Sequence, residues 1–125
     1  MNATLIVMLG GGIGAALRYQ LGRLAFHLAG PGYPIGTFAA NVIGGLLMGV
    51  LAGVLARSDT ADEVWRLLIG VGLLGGFTTF SAFSLEIVNM IERGQTGLAL
   101  SYALLSVIGS VLALFGGLMV VRIFA

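Results

Sequence analysis

The chain has 125 residues, of which 58% are hydrophobic and 9% charged, with a formal net charge of +1. Soluble domains carry about 25% charged residues, so this chain cannot cover a water-facing surface and belongs in a bilayer. It has no cysteine, which excludes a disulfide frame and a thiolate metal site; its single histidine, His27, excludes a multi-histidine site within one chain, and its charge leaves no nucleic-acid footprint.

A spanning helix needs about 20 mostly apolar residues, and four segments qualify. The first runs from about Leu5 to Leu28. Met1-Asn2-Ala3-Thr4 before it carries no Lys or Arg, unlike the positive start of a cleavable signal, so this helix is expected to be retained. Gly10-Gly11-Gly12-Ile13-Gly14 lacks the Lys-Ser/Thr ending of a phosphate loop and reads as a helix-packing surface. The second half is polar, with Arg18, Arg23 and His27, the last near the helix end and expected at the surface. Gly30-Pro31-Gly32-Tyr33-Pro34 then breaks the chain.

The second segment runs from about Ile35 to Ala56, with Gly45, Gly49 and Gly53 spaced for close helix approach and Asn41 as the one amide in its middle. The hydrophilic loop Arg57-Ser58-Asp59-Thr60-Ala61-Asp62-Glu63 follows, and Ser58, Asp59 or Thr60 is expected to cap the next helix. The third segment, from about Trp65 to Ile91, contains Gly75-Gly76-Phe77-Thr78-Thr79-Phe80-Ser81-Ala82-Phe83-Ser84, then Glu86. The fourth runs from about Leu98 to Ile123 and carries Tyr102, Ser106 and Ser110 on one face. Short loops predict a single all-α, four-helix transmembrane domain over residues 1–125.

Four spans put both termini on one side, together with Arg57, Arg66 and Arg122, against Arg23 and Arg93, plus Arg18 if it reaches the surface. The positive-inside rule needs an imbalance. Either a weak bias or dual topology follows. Many transport proteins use two inverted halves, which a chain this short would supply as an antiparallel homodimer.

Irregular backbone and ionisable groups survive at membrane depth only when buried in protein or lining a wet cavity, so the third segment is the expected site of function. Gly75-Gly76 followed by two β-branched threonines should break the helix. The freed carbonyls are satisfied either by the threonine hydroxyls or by a cation. Phe77, Phe80 and Phe83 recur every three residues, as packing or as ring edges, which are positive, turned toward a small anion. Asn41 is an interhelical clamp or an anion donor. The three hydroxyls of the fourth segment bond their own helix or form a polar track. Glu86 must be protonated, partnered or wet, with hydroxyls such as Ser81 expected to serve it, as proton relay, gate or anchor of a network. Arg18 snorkels or sets a positive field. No catalytic constellation is present, and an enzyme is not expected.

Three stretches resemble the Fluc (CrcB-type) fluoride channels: Gly12-Ile13-Gly14-Ala15-Ala16-Leu17-Arg18, then Gly36-Thr37-Phe38-Ala39-Ala40-Asn41-Val42-Ile43-Gly44-Gly45, then Gly75 to Glu86. The resemblance covers nearly the whole chain. It implies an antiparallel dual-topology homodimer in the inner (plasma) membrane, with two fluoride pores drawing on both subunits. Asn41 would donate to fluoride near a vestibule, and Phe80 and Phe83 would present ring edges to it. Thr37, Ser81, Ser84, Tyr102, Ser106, Ser110 and Glu86 would line or support the polar track, and Arg18 would sit near the vestibule. Gly75 and Thr78 carbonyls would hold a central sodium ion. The family often carries a threonine one turn after the residue matching Ser110, where this chain has Leu114. The choice of fluoride, and of passive export driven by an inside-negative potential, comes from the resemblance alone. The competing reading is a small proton-coupled multidrug exporter, which would want its carboxylate in the first helix, where this chain has none. A structural subunit without a pore would not need polar groups on three helices.

Overall fold

The computed structural model describes residues 2–57 and 63–124. The proposed caps Ser58, Asp59 and Thr60 lie outside that range. Four helical passes form, each long and apolar enough to cross a membrane. Helix α1 is Ala3–Ala29 and α2 is Ile35–Arg57. The third pass is broken into α3, built from Glu63–Trp65, Arg66–Leu74 and Gly75–Phe77, and α4, Ser81–Glu92. Helix α5 is Thr96–Phe124. All four passes fall within two residues of the segments read from hydropathy.

Local chemistry sets the ends. Asn2 caps α1 by accepting the Thr4 N–H at 2.8 Å. Gly30 ends α1 in the left-handed region, φ 76°, with its N–H on the Phe26 carbonyl at 2.8 Å. Gly94, φ 78°, ends α4 in the same way, and the Gln95 N–H returns to the Met90 carbonyl at 2.8 Å. The Arg57 guanidinium donates to the Arg122 carbonyl at 3.3 Å, so α2 and α5 finish on one side, as four passes require.

Two glycine seams hold the passes together. A Cβ at Gly14 on α1 would overlap the Leu73 carbonyl oxygen on α3, and one at Gly49 on α2 would overlap that of Leu114 on α5. The glycine-rich run near the start of α1 is therefore a packing surface. Close backbone approach through small residues is the main source of helix association in lipid, where apolar burial between helices gains little. The protein-facing core is correspondingly small: Tyr102 and Met90 are its only large, fully buried side chains among the described residues, packed with Phe83 and Ala99.

The break falls within the expected stretch, at its threonines. Gly75 and Gly76 remain helical, and the chain leaves the helix at Thr78, φ −85° and ψ 159°. Gly76 stays in register because it packs on Gly11 of α1, where a Cβ would come within 2.5 Å of the Gly11 carbonyl oxygen. Arg66–Leu74 is a π-helix, and the Gly75 N–H reaches the Gly70 carbonyl five residues back.

Candidate functional site

The break exists because side chains replace its missing helical bonds. Asn41 on α2 accepts the Thr79 N–H at 2.8 Å through Oδ1 and donates Nδ2–H to the Thr79 carbonyl at 3.1 Å. The Thr79 hydroxyl accepts the Ala82 N–H at 3.2 Å and starts α4. Thr78 donates both its N–H, at 3.0 Å, and its hydroxyl, at 2.9 Å, to the Leu74 carbonyl. The interhelical clamp and the hydroxyl-satisfied kink are thus both present.

These substitutions release two carbonyls. The Thr79 N–H would have closed the helix onto Gly75, and the Ala82 N–H onto Thr78, but both go to side-chain oxygens instead. Gly75 is also exposed at the surface. Uncharged carbonyl oxygens without helical donors suit a hard monovalent cation, so the residues present fit sodium.

An open cleft of about 480 Å³ runs beside the break, lined by Asn41, Thr79, Phe80, Phe83, Ser106 and Ser110, with Gly75 and Thr78 at its edge. All of its lining residues are uncharged. Phe80 is 76% exposed, while Phe83 is buried, and their ring centroids lie 5.6 Å apart. Phe77 leaves this pair. The three-residue spacing presumes a continuous helix, and the break turns Phe77 toward Gly44 of α2. The Ser106 hydroxyl is buried with no partner among the described residues. Asn41 commits one amide hydrogen to Thr79, and an amide has two.

Glu86 forms a second cluster. It accepts the Thr37 hydroxyl at 3.0 Å and the Tyr102 hydroxyl at 3.0 Å, joining α2, α4 and α5. Ser81 does not serve it: five residues along a helix is about 140° around the axis, and Ser81 is exposed. Ser84 spends its hydroxyl on the Phe80 carbonyl at 2.9 Å. Neither serine lines the cleft. Tyr102, Ser106 and Ser110 run up one face of α5 and link the Glu86 cluster to the cleft.

Arg18 is half-buried and donates Nε–H to the Gly76 carbonyl at 3.4 Å, beside a separate recess of about 380 Å³ that also holds Arg23 and His27. His27 is exposed, as expected. Sequence reasoning gave no role to Tyr33, which packs edge-on against Tyr102 with centroids 5.3 Å apart. Its setting between Gly32 and Pro34, an aromatic in a turn, was the available signal.

Residues 5–118 match the family model described as CrcB-like protein, Camphor Resistance (CrcB). The chain is 58% identical over 123 residues to a Fluoride-specific ion channel FluC of Phenylobacterium zucineum, covering 98% of this chain and 97% of the relative. It is 58% identical over 124 residues to the protein of that name in Novosphingobium aromaticivorans, covering 98% of each chain. With that of Caulobacter vibrioides it shares 51% over 123 residues, 98% of this chain and 97% of the relative.

Proposed function

Because the chain belongs to the CrcB-like family, we propose that it is a passive, fluoride-selective channel that lets cytoplasmic fluoride leave across the inner (plasma) membrane. The observation that carries this reading is the cleft. It is open along the side where Phe80 is 76% exposed, and it holds an amide hydrogen and a buried serine hydroxyl with no protein acceptor among the described residues. The cleft walls are mostly apolar, and the few unpartnered polar groups among them need covering by protein at membrane depth. A second, antiparallel copy would cover it and complete two pores, each using residues of both subunits.

The chemistry suits a small, strongly hydrogen-bonding anion. Asn41 donates its second amide hydrogen, Phe80 and Phe83 turn ring edges to the ion, and Ser110, Ser106 and Tyr102 offer hydroxyls toward Glu86 and Thr37. Ring edges carry partial positive charge without forming an ion pair, so the anion is held weakly enough to leave. Arg18 contributes a positive field near the vestibule. Ser81 and Ser84 support the start of α4 and do not contact the ion. The Gly75 and Thr78 carbonyls of both subunits would hold a sodium ion, which supplies fixed positive charge between the paired breaks.

Fluoride efflux from liposomes, with chloride as control, tests the reading. Wild-type protein releases fluoride fast and retains chloride; Phe80→Ile folds normally and loses at least about 100-fold of the rate, a scale of roughly 2.7 kcal/mol. Absence of fluoride efflux from folded protein overturns the channel and favours a proton-coupled exporter. Replacing sodium by N-methyl-D-glucamine lowers the thermal midpoint by several degrees, since an ion at about 100 times its Kd adds about 2.7 kcal/mol. An unchanged midpoint removes sodium from the assembly.

A further inference from the structure

Below the Glu86 cluster lies a chamber of about 270 Å³ that neither the cleft nor the Phe80–Phe83 pair reaches. Its polar lining comes from Glu86 and Asn89 of α4, Arg93 just past its end, Thr37 of α2, and Tyr33 in the α1–α2 turn. Glu86, Asn89 and Arg93 follow at i, i+3 and i+7, so they line one face of α4 from the carboxylate to the helix end. At 1.5 Å per residue the stripe is about 10 Å long. The Tyr33 hydroxyl is buried and has no partner among the described residues. The Arg93 guanidinium has no carboxylate within ion-pair distance among them. A buried orphan hydroxyl and a polar chamber of this volume together call for water, at about 30 Å³ per molecule.

We propose that this chamber is the aqueous mouth at the carboxylate end of the track, and that Arg93, with Asn89, binds the partly hydrated anion there. The inference rests on the channel reading above. Its logic is electrostatic. An anion that travels along Ser110, Ser106 and Tyr102 arrives at Glu86, the least hospitable point for negative charge. A guanidinium two helical turns further on offsets the carboxylate and draws the ion into water. In the turn that walls the opposite side, Pro31 and Pro34 fix their own φ.

Efflux from wild-type and Arg93→Gln liposomes, at ionic strengths of about 10 mM and about 300 mM set with impermeant potassium isethionate, tests it, because screening shortens the reach of one charge from about 30 Å to below 10 Å. The expected result is a three- to ten-fold slower Arg93→Gln at low ionic strength, less than two-fold slower at high, and normal rates in Arg93→Lys. Equal rates at low ionic strength overturn the mouth, and so does the same loss at both, which marks a structural role. The chain has no cysteine, so Asn89→Cys provides an independent reading. A membrane-impermeant anionic methanethiosulfonate should label it and slow efflux; failure to label folded, conducting protein also overturns the proposal. Wild-type protein that does not conduct fluoride defeats the channel reading itself, whereas a conducting wild type matched by Arg93→Gln defeats only the mouth.

Discussion

The two halves of the third pass solve the same problem by opposite means. α3 keeps its backbone bonds internal, even where they widen to a π-helix, and meets α1 through glycines that let carbonyl oxygens touch the neighbouring chain. One polar side chain joins that contact, the Arg18 Nε–H donating to the Gly76 carbonyl at 3.4 Å. Between α3 and α4 the backbone gives up its helical bonds, and Asn41, Thr78 and Thr79 take them over. Shape stabilises the first half, and hydrogen-bonding side chains stabilise the second. The difference predicts which substitutions damage packing alone and which also disturb the break, where the Gly75 and Thr78 carbonyls lose their helical donors.

The comparison breaks most visibly at Gly14. Gly14→Val should lose about 3 kcal/mol or more and leave little monodisperse protein on size exclusion, because the Leu73 backbone of α3 cannot retreat. Gly12→Ala, with nothing within 4 Å of the added carbon, should behave as wild type. At the break the effects separate. Asn41→Leu strands the Thr79 N–H and should cost about 1–3 kcal/mol, seen as a lower thermal midpoint, and it should abolish fluoride efflux. Asn41→Asp keeps the acceptor for the Thr79 N–H but sets a carboxylate oxygen against the Thr79 carbonyl, so it should lose stability by a comparable amount and also fail to conduct. If Asn41→Asp conducts normally, the ion does not need the amide hydrogens. The smallest effect belongs to Thr37→Val. Glu86 keeps its Tyr102 bond, and loss of the Thr37 hydroxyl should cost about 1 kcal/mol, read as a shift of a few degrees in melting.

The spans, their breakers and the residues of the cleft were legible because each rests on local chemistry. Twenty apolar residues, a Gly-Pro turn and an isolated amide announce themselves in a single sequence. The parts that escaped depend on a neighbour. Gly75 and Gly76 look like helix breakers by propensity but stay helical against α1, and within that stretch the break falls at Thr78 and Thr79, where Asn41 takes the Thr79 N–H. The π-helix of 66–74 has no local signature in the chain, since contacts with α1 set its register. Ser81 was placed near Glu86 by closeness in sequence, but five residues along α4 turn it about 140° away. Thr37 as a partner of Glu86 could not be read from proximity in sequence, because 49 residues separate them.

The reciprocal bond at the break has a consequence for how this protein can vary. Asn41 reads the peptide group of residue 79, not its side chain, so the clamp tolerates any residue there except proline, which has no N–H to give. What position 79 must supply is only a short side-chain acceptor for the Ala82 N–H, which Ser, Asn or Asp could provide as well as Thr. Position 41 has no such latitude. An amide of that length is the one side chain that both gives and takes a hydrogen bond across this gap, and Gln would overshoot by a methylene. Random mutagenesis with selection for growth in fluoride should therefore return several residues at 79 and a single one at 41.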